Sequence, residues 1–468
     1  MNESKKGAGT PKKLNEPSIL LRPEVLKSFG GQTTASPLPE FFEEAKFIPN
    51  NFAVWLTEKS GQRFLTIADT ETIYRYVDGI YVPDAKTYIK GMVEQFTGGR
   101  RVSTRSVSEA VGHVERKRYV DRSIFDNNEH EIALQNGVLN TTTFEFTEHS
   151  PDRYFLQKIP VAYDPSAECP MFTGFLENVL PDKNERDSII ELFGYCLVKN
   201  YSIQRWFMFY GSGGNGKGTL LSVLSAFLGH DNVSTVELQN FDRNFTLAEL
   251  YGKLANIAGD LSHRDLEYSG KLKGLTGGDR LLAERKFQNP FNFVNHAKLI
   301  FSANELPRTH DETIAFWRRV MLFNFKKTFI GNDDTKNYHK FLTTESELSG
   351  ILNLAIEGLQ RLNDNMDFSK KTSIDEVKEF YVKHSDSVTS FIMDCVEITY
   401  DPDNTMSFES LHKAYLMYCQ EHGFTAKTKK KLNRSLRNDH EFVDDKGYDG
   451  ATGEYSRRWS GVILSLSE

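Results

Sequence analysis

Residues 211–219 read Gly-Ser-Gly-Gly-Asn-Gly-Lys-Gly-Thr and follow the apolar run Trp206-Phe-Met-Phe-Tyr210. A glycine-rich loop between an apolar strand and a helix-forming segment is typical of a phosphate-binding P-loop, because glycine lets successive N–H groups point at one anion. The next helix adds the positive end of its dipole, and a lysine neutralises the β- and γ-phosphates. We predict a nucleotide site made of Gly211, Ser212, Gly213, Gly214, Asn215, Gly216, Lys217, Gly218 and Thr219.

The residue after the lysine departs from the usual pattern. A Ser or Thr hydroxyl that binds Mg²⁺ normally stands there, but this chain has Gly218, and Thr219 comes one residue later. Mg²⁺ keeps several water ligands, so it can be held through water. We therefore expect ATP and Mg²⁺ as cofactors and keep Thr219 as a candidate metal ligand.

Two later apolar runs end in polar residues that suit the same site. The run from Lys253 to Gly259 leads to Asp260, and the run that begins at Ala297 ends in Asn304. Ligands of open α/β sheets bind at the carboxyl ends of the strands. We predict that Asp260 organises Mg²⁺ and that the amide of Asn304 contacts the γ-phosphate or the attacking water.

Paired arginines follow in Phe316-Trp-Arg-Arg-Val320. An arginine fork stabilises the transition-state charge of a transferred phosphoryl group, often from a neighbouring subunit. We predict that Arg318 or Arg319 acts in this way, without a choice between them; surface ion pairing is the alternative. The catalytic base is left open, with Asp265 and Glu267 as weak candidates.

Composition limits the possible partners. The chain has 468 residues, 39% of them hydrophobic and 26% charged, with a formal net charge of −7. An acidic chain does not bind nucleic acid by overall charge, so such a partner requires a local basic patch. The cysteines are far apart, so we expect neither a zinc site nor a disulfide framework. No apolar run is long enough to cross a bilayer, and we expect an intracellular protein, located in the host cell if a virus or mobile element encodes it.

Changes of pattern divide the chain into parts. We expect a disordered tail and lead-in at 1–37, an α+β N-terminal domain at 38–185, an α/β nucleotide-binding core at 186–365 and a C-terminal domain at 374–468. Within the N-terminal domain, Asp78-Gly79 and Asn136-Gly137 predict tight turns between strands.

The C-terminal domain carries the basic segment Lys427-Thr-Lys-Lys-Lys-Leu-Asn-Arg-Ser-Leu-Arg437. Its leucines, Leu432 and Leu436, are spaced i, i+4 and can anchor one side of a helix. Helices before it and a β-like end after it predict a winged-helix-like domain whose basic helix enters a DNA groove; a solvated basic helix is the alternative. The predicted DNA contacts on the helix are Lys429, Lys430, Lys431 and Arg434, and we expect Arg457, Arg458 and Trp459 to form a wing.

The order of these motifs resembles superfamily 3 helicases. The similarity is greatest to the phage and plasmid primase–helicase family, whose relatives include the poxvirus NTPase. The motifs that carry it are the glycine-rich loop, the acidic strand tip, Ser302-Ala-Asn-Glu-Leu-Pro307 and Phe316-Trp-Arg-Arg319, preceded by Asn136-Gly-Val-Leu139, His149-Ser-Pro151, Tyr163-Asp-Pro165, Cys169-Pro170 and Leu192-Phe-Gly-Tyr195. Gly218 and Gly259 depart from the family's pattern.

The resemblance implies an AAA+-like P-loop NTPase core that assembles as a ring, usually a hexamer, with ATP between subunits. It also implies 3′-to-5′ movement along single-stranded DNA by hairpins that project into the channel. The matching segment turns at Gly277-Gly278 and carries Lys271, Lys273, Arg285, Lys286 and Phe287. Basic side chains can contact phosphates, and a phenylalanine can pack on a base or sugar. A solvated charged hairpin is the alternative.

These observations predict an ATP-dependent DNA helicase for the replication of a virus, phage or plasmid-like element, acting on single-stranded or forked DNA. Because little chain precedes the matching region, we expect no primase activity, and a separate primase or other replication proteins as partners. A non-motor initiator or regulator that binds ATP and DNA is the first alternative. A small-molecule kinase is the second, suggested by the Gly-Lys-Gly-Thr ending alone.

Overall fold

The computed structural model describes residues 40–43, 46–97, 102–126, 128–243, 245–259, 261, 265–266, 269–287, 289–329, 338–399, 401, 403–422, 424–448 and 455–465. These residues form a mixed α/β protein with a parallel sheet in its middle region. Within them, no helix combines the length and the apolar composition needed to cross a bilayer.

The N-terminal region is an α+β arrangement. Its elements are β1 (Phe42–Glu43), β2 (Lys46–Phe47), α1 (Pro49–Val54), β3 (Phe64–Ile67), β4 (Thr72–Val77), β5 (Ile80–Val82), α2 (Ala85–Thr97), α3 (Thr104–Glu115), β6 (Tyr119–Val120), β7 (Glu131–Ala133), β8 (Val138–Asn140) and β9 (Phe146–Thr147). One sheet has the order β5-β4-β3-β6 and another the order β7-β8-β9. The predicted turn at Asp78-Gly79 is confirmed: both residues have positive φ, 48° and 95°, as the favoured two-residue hairpin turn requires.

The middle region contains the parallel sheet. Its elements are α4 (Pro170–Val179), α5 (Lys183–Tyr195), β10 (Trp206–Tyr210), α6 (Lys217–Leu228), β11 (Val233–Ser234), β12 (Ala255–Ala258), α7 (Gly270–Gly277), β13 (Arg280–Ala283), β14 (Phe291–Val294), β15 (Lys298–Ala303), α8 (Ile314–Trp317), β16 (Val320–Asn324), α9 (Tyr338–Leu342) and α10 (Glu345–Asn365). The sheet order is β11-β12-β15-β10-β16, with every neighbouring pair parallel.

Strand β10 is apolar throughout because both faces of this sheet are covered. Phe207 and Phe209 belong to a core cluster on one face, whereas Trp206 and Met208 belong to a second cluster on the other. Period-two alternation of side chains produces this division. The strand holds the glycine-rich loop, which follows it directly, at the carboxyl edge of the sheet, one strand in from the edge strand β16.

The C-terminal region has the element order α11 (Ile374–Ser385), α12 (Ser387–Cys395), β17 (Val396–Ile398), β18 (Thr405–Ser407), α13 (Phe408–His422), α14 (Lys429–Asp439), β19 (Val443–Tyr448), β20 (Tyr455–Ser460) and β21 (Val462–Leu464). Strands β18, β20 and β19 form an antiparallel sheet in that order. Leu432 and Leu436 are fully buried, so the predicted anchored side of the basic helix is confirmed.

Helix α11 packs on the middle region. Tyr381 is fully buried, and its ring centroid lies 5.3 Å from that of Trp317 in α8. Beyond this helix, the carboxylate of Asp386 forms ion pairs with Arg308 of the middle region and, at 2.7 Å, with Lys427 ahead of α14. One carboxylate thus joins the loop after Asn304 to the C-terminal helices.

The sequence-based hairpin assignment for residues 271–287 was wrong in its first half. Leu272 and Leu275 are buried, so their i, i+3 spacing produces helix α7 there. Gly278, at φ 82°, terminates this helix in a left-handed conformation and does not form the hairpin turn. The hairpin consists of β13 and β14, paired from Arg280–Val294 to Ala283–Phe291.

Candidate functional site

The glycine-rich loop connects β10 to α6 with a backbone that demands glycine. Gly211, Gly214 and Gly216 have φ of 149°, 72° and 89°. A Cβ added to Gly216 would lie 2.6 Å from Cγ1 of Val179. Substitution at Gly216 would therefore combine backbone strain with a collision, and the close packing of α4 on the loop depends on this glycine.

Lys217 is buried at the start of α6, with an exposed fraction of 5%. Its ammonium donates hydrogen bonds to the carbonyl oxygen of Gly211 at 2.5 Å, to Oδ1 of Asn215 at 3.1 Å and to Oδ1 of Asn304 at 3.2 Å. The structure therefore brings together the lysine and the asparagine that the sequence singled out. It does so because β15 lies beside β10 in parallel, so the two strands end at the same edge.

A segment that the sequence analysis missed braces the loop. The amide of Asn215 donates to the carbonyl of Phe325 at 3.1 Å, and the N–H of Phe329 donates to the carbonyl of Gly214 at 2.7 Å. This segment also carries the exposed cations Lys326 and Lys327 next to the loop. Their signal in the sequence was a pair of lysines immediately after an apolar strand.

A cavity of about 430 Å³ opens beside the loop. Its walls are largely aromatic and apolar, with one amide and two hydroxyls. The lining residues are Phe175, Asn178, Val179, Gly214, Gly216, Thr219, Phe329 and Tyr338. Thr219, predicted as a metal ligand, therefore faces this cavity, which has the shape and chemistry to hold a planar ring next to the loop.

The predicted acid, Asp260, lies outside the described residues, as does Glu267. Strand β12, which leads to it, is separated from β10 by β15. Among the described residues, no three His, Cys, Asp or Glu side chains come together as a metal site. A Cβ added to Gly218 would meet no atom within 4 Å, so open space exists where the usual hydroxyl would stand, and water can occupy it.

Arg318 and Arg319 lie at the amino end of β16, on the edge of the sheet opposite the loop. Oε1 of Gln204 accepts hydrogen bonds from both, at 2.6 Å from Arg318 and 3.0 Å from Arg319. Arg318 is exposed, whereas Arg319 is 8% exposed and also donates to the carbonyl of Ala315. Burial, and next the charge of Arg318, lower the pKa of Arg319. Within one chain, the structure does not bring either arginine to Lys217.

The hairpin β13–β14 presents the predicted DNA-contacting residues at its tip. Phe287 is fully exposed with a φ of 62°, and Arg285 and Lys286 are exposed beside it. Lys271 and Lys273 were expected on the same hairpin but lie on α7. Lys273 forms an ion pair with Asp311 at 2.8 Å.

In the C-terminal region, α14 exposes Lys430, Lys431 and Arg434. Lys429 is half-buried and forms an ion pair with Glu409. Trp459 lies on β20, in the hairpin β19–β20 where the sequence predicted a wing, but its side chain does not reach the surface. Its indole is fully buried and stacks on Phe408 with centroids 4.5 Å apart, because this side of β20 faces the helices.

The other two predicted wing residues differ in their surroundings. Arg458 forms an ion pair with Asp445 at 2.8 Å, across the sheet from the helices. Arg457 is exposed on β20. The hairpin β19–β20 itself is present, and Arg457 is its exposed cation among the three predicted residues.

Comparisons with known proteins agree with the order of these elements. Residues 55–181 match the family described as "D5 N terminal like", and residues 209–319 match the family of unknown function DUF5906. A protein of Acanthamoeba polyphaga mimivirus, named provisionally as a helicase, is 27% identical over 228 residues, which are 46% of this chain and 24% of that protein. A provisionally named helicase of Invertebrate iridescent virus 3 is 27% identical over 231 residues, 45% of this chain and 24% of that protein. The matches thus span about a quarter of each relative.

Among solved structures, an apo structure of the NrS-1 C-terminal region covers 87% of this chain and 99% of its own, at 14% identity and a TM-score of 0.47. Fold and loop define a mixed α/β protein with a glycine-rich loop at the carboxyl edge of a parallel sheet. The two matched regions and the viral relatives support the phage and viral primase–helicase family as the one that this chain resembles.

Proposed function

We propose that this chain is an ATP-dependent DNA helicase that works in the replication of a virus, phage or plasmid-like element. The observation that carries the proposal is the hydrogen bond between Lys217 and Asn304 at the mouth of the glycine-rich loop. In the structure, the ammonium is held by oxygens of Gly211, Asn215 and Asn304. The γ-phosphate of ATP supplies better oxygens to the same ammonium, because charge-assisted hydrogen bonds are the strong ones.

ATP fits the surroundings of the loop. The triphosphate would lie against the loop N–H groups and the start of α6, and the base would enter the cavity that Phe175 and Tyr338 line and would pack against one of these rings. Asn304 would hold the γ-phosphate or the attacking water. Lys326 and Lys327 would add positive charge at the same edge.

Mg²⁺ fits a site of this kind through water. The open space at Gly218 accommodates water ligands, and Thr219 and Asp260 are the side chains proposed to hold the ion. When bound, Mg²⁺ neutralises charge on the phosphate oxygens. The residues of this chain supply the rest: Lys217 binds phosphate, and Asn304 orients the reacting groups.

The arginines support a ring-shaped assembly. Because Arg318 and Arg319 lie on the edge opposite Lys217, an arginine would reach the triphosphate of a neighbouring subunit, which requires head-to-tail contacts that close into a ring such as a hexamer. Arg318 is the better candidate for this role because it is exposed, whereas Arg319 is buried and holds Ala315. The hairpin tip with Phe287 would contact single-stranded DNA inside the ring, and α14 would bind duplex or forked DNA.

The test is ATP hydrolysis with and without single-stranded DNA, together with strand separation of a forked duplex. We expect DNA to stimulate hydrolysis and ATP to drive unwinding. Lys217→Ala should abolish both, whereas Lys90→Ala, an exposed lysine in α2, should change neither. Absence of DNA stimulation and of unwinding in the unmodified protein would exclude a motor.

A second candidate is a non-motor replication initiator that binds ATP and DNA. The absence of a hydroxyl at Gly218 favours it, because hydrolysis then depends on a metal held less directly. This candidate predicts ATP binding with little turnover, and biological activity that survives Lys217→Ala.

A further inference from the structure

The base of the hairpin β13–β14 is attached to the N-terminal region through Arg122. This arginine lies just after β6 and is 9% exposed. Its Nε donates to one oxygen of Asp69 at 2.8 Å and its Nη2 to the other at 2.7 Å. Both partners belong to the N-terminal region, so this planar two-bond pair fixes the orientation of the guanidinium there.

The faces of the same guanidinium contact the middle region. Its central carbon lies 4.3 Å from the ring centroid of Phe291 and 4.9 Å from that of Tyr251. Phe291 is the first residue of β14 and is itself buried. An arginine over aromatic faces is attracted by their quadrupoles, most strongly when desolvated. Arg122 therefore holds the strand that leaves the hairpin tip.

A hydrogen bond between the two regions lies next to the contact of Arg122 with Phe291. The amide of Asn289, two residues before Phe291, donates to the carbonyl of Asp69 at 3.4 Å. On the hairpin side, the guanidinium of Arg285 lies 5.7 Å from the ring centroid of the same Phe291. Phe291 thus lies near both an N-terminal arginine and a cation of the hairpin tip.

One face of the hairpin packs on the core of the middle region, whereas its other face and its tip have little support. The side chains of Leu282 and Val294 are 54% and 53% exposed, and Phe287 is fully exposed. A projecting ribbon of two strands is marginally stable in water by itself. Its orientation therefore depends on the contacts at its base, where Tyr251 packs from within the middle region and Arg122 adds the contact from the N-terminal region.

We infer that Arg122 is a positioning residue that sets the hairpin tip for contact with single-stranded DNA, so that the N-terminal region controls how the middle region engages DNA. The inference rests on the proposed function, because it takes the hairpin as the DNA-contacting element. Arg122 itself contacts neither nucleotide nor DNA in this scheme. Its effect is on the DNA dependence of hydrolysis and not on hydrolysis itself.

The experiment uses the full chain with Arg122→Gln and Arg122→Lys. The matched control is Arg75→Gln, because Arg75 forms the same kind of pair with Asp84, at 2.7 Å for both bonds, and lies 4.2 Å from the ring centroid of Tyr88, wholly within the N-terminal region. Two quantities are measured: the oligo(dT) concentration that half-saturates stimulation of ATP hydrolysis, and the hydrogen exchange of residues 280–294.

For Arg122→Gln, we expect the half-saturating oligo(dT) concentration to rise roughly tenfold, in line with loss of about one base-stacking contact. The DNA-free rate should stay within about twofold, because the nucleotide site is untouched, and hairpin amides should exchange faster. Arg122→Lys keeps the charge but loses the planar fork, so both of its measured values should lie between those of the unmodified protein and those of Arg122→Gln. Arg75→Gln should change none of these.

Equal effects of Arg75→Gln and Arg122→Gln on half-saturation would overturn the inference, as would an unchanged value in both Arg122 variants. If the unmodified protein shows no response to oligo(dT), the proposed function fails. Hydrogen exchange alone then decides whether Arg122 positions the hairpin. In that case faster exchange of residues 280–294 in Arg122→Gln than in Arg75→Gln upholds it, and equal exchange rejects it. If Arg122→Gln does not fold, Arg122→Lys provides the same comparisons.

Discussion

Arg318→Ala should abolish ATP hydrolysis. Mixing it with a second inactive variant, Lys217→Ala, should restore part of the activity. Val320 pairs with Trp206 and Asn324 with Tyr210, so the arginine lies one full strand length from the loop. That strand of five residues spans about 16 Å at roughly 3.3 Å per residue. The proposed role of Arg318 is therefore toward a neighbour's triphosphate and not toward that of its own chain.

The size of the effect follows from this position. Loss of an arginine finger costs about 10³–10⁵ in rate, or about 4–7 kcal/mol of transition-state stabilisation. Lys217→Ala should be similarly inactive. In a one-to-one mixture, an interface is competent when one subunit keeps Lys217 and its neighbour keeps Arg318, which holds for about a quarter of the interfaces of a randomly mixed ring.

The assay is steady-state ATP hydrolysis of Arg318→Ala, Lys217→Ala and their mixture, with co-purification through a tag on one variant to show that they assemble. Recovery toward a quarter of the normal rate is expected if interfaces work independently. A mixture that assembles but remains as inactive as its components would refute action across subunits. Arg319→Ala serves as comparison, and its loss of the bond to Ala315 should appear chiefly as lower stability.

Three further outcomes are expected. Asn304→Ala should lower the turnover number about 10²–10³-fold with a small change in KM, and a pure KM effect would contradict the role of its amide. Phe287→Ala should leave the unfolding free energy within about 0.5 kcal/mol, because the ring is exposed, but should weaken single-stranded DNA binding in a titration by about 1–3 kcal/mol. Burial, and then the charges of Lys298 and Lys199, lower the pKa of His296 from 6.5 to about 3, so the unfolded chain binds more protons between these values and stability rises with pH across them. His296→Gln should flatten the slope of unfolding free energy against pH in that window by at most about 1.4 kcal/mol per pH unit, and an unchanged slope would contradict the shift.

Local pattern predicted the residues of the site better than their arrangement. The glycines, Lys217 and Asn304 could be identified as candidates from their residue types and from their positions at strand ends. Strand order is set by long-range pairing, which leaves no local signal, so the insertion of β15 between β10 and β12 could not be deduced. The brace from Phe325 to Phe329 was missed for the same reason, since its hydrogen bonds use the backbone and are indifferent to side-chain type.

The segment around Gly277-Gly278 shows a different source of error. A glycine pair suits a hairpin turn and the end of a helix equally well, because both require positive φ. The buried face of Leu272 and Leu275 decides for the helix, and that face needs a partner surface that the local sequence does not reveal. The contact of Arg122 with Phe291 joins distant parts of the chain and was equally inaccessible.

The packing of α11 has a practical consequence for dividing or recombining this protein. The C-terminal region looks separable at residue 374, yet Val377 and Tyr381 of α11 are buried in a core cluster of the middle region. A fragment starting at 374 would carry that apolar face into water, and a fragment of the middle region ending there would lose its cover. An exchange of the C-terminal end between relatives should be spliced after Ser385, with an acid kept at the position of Asp386 to receive both cations.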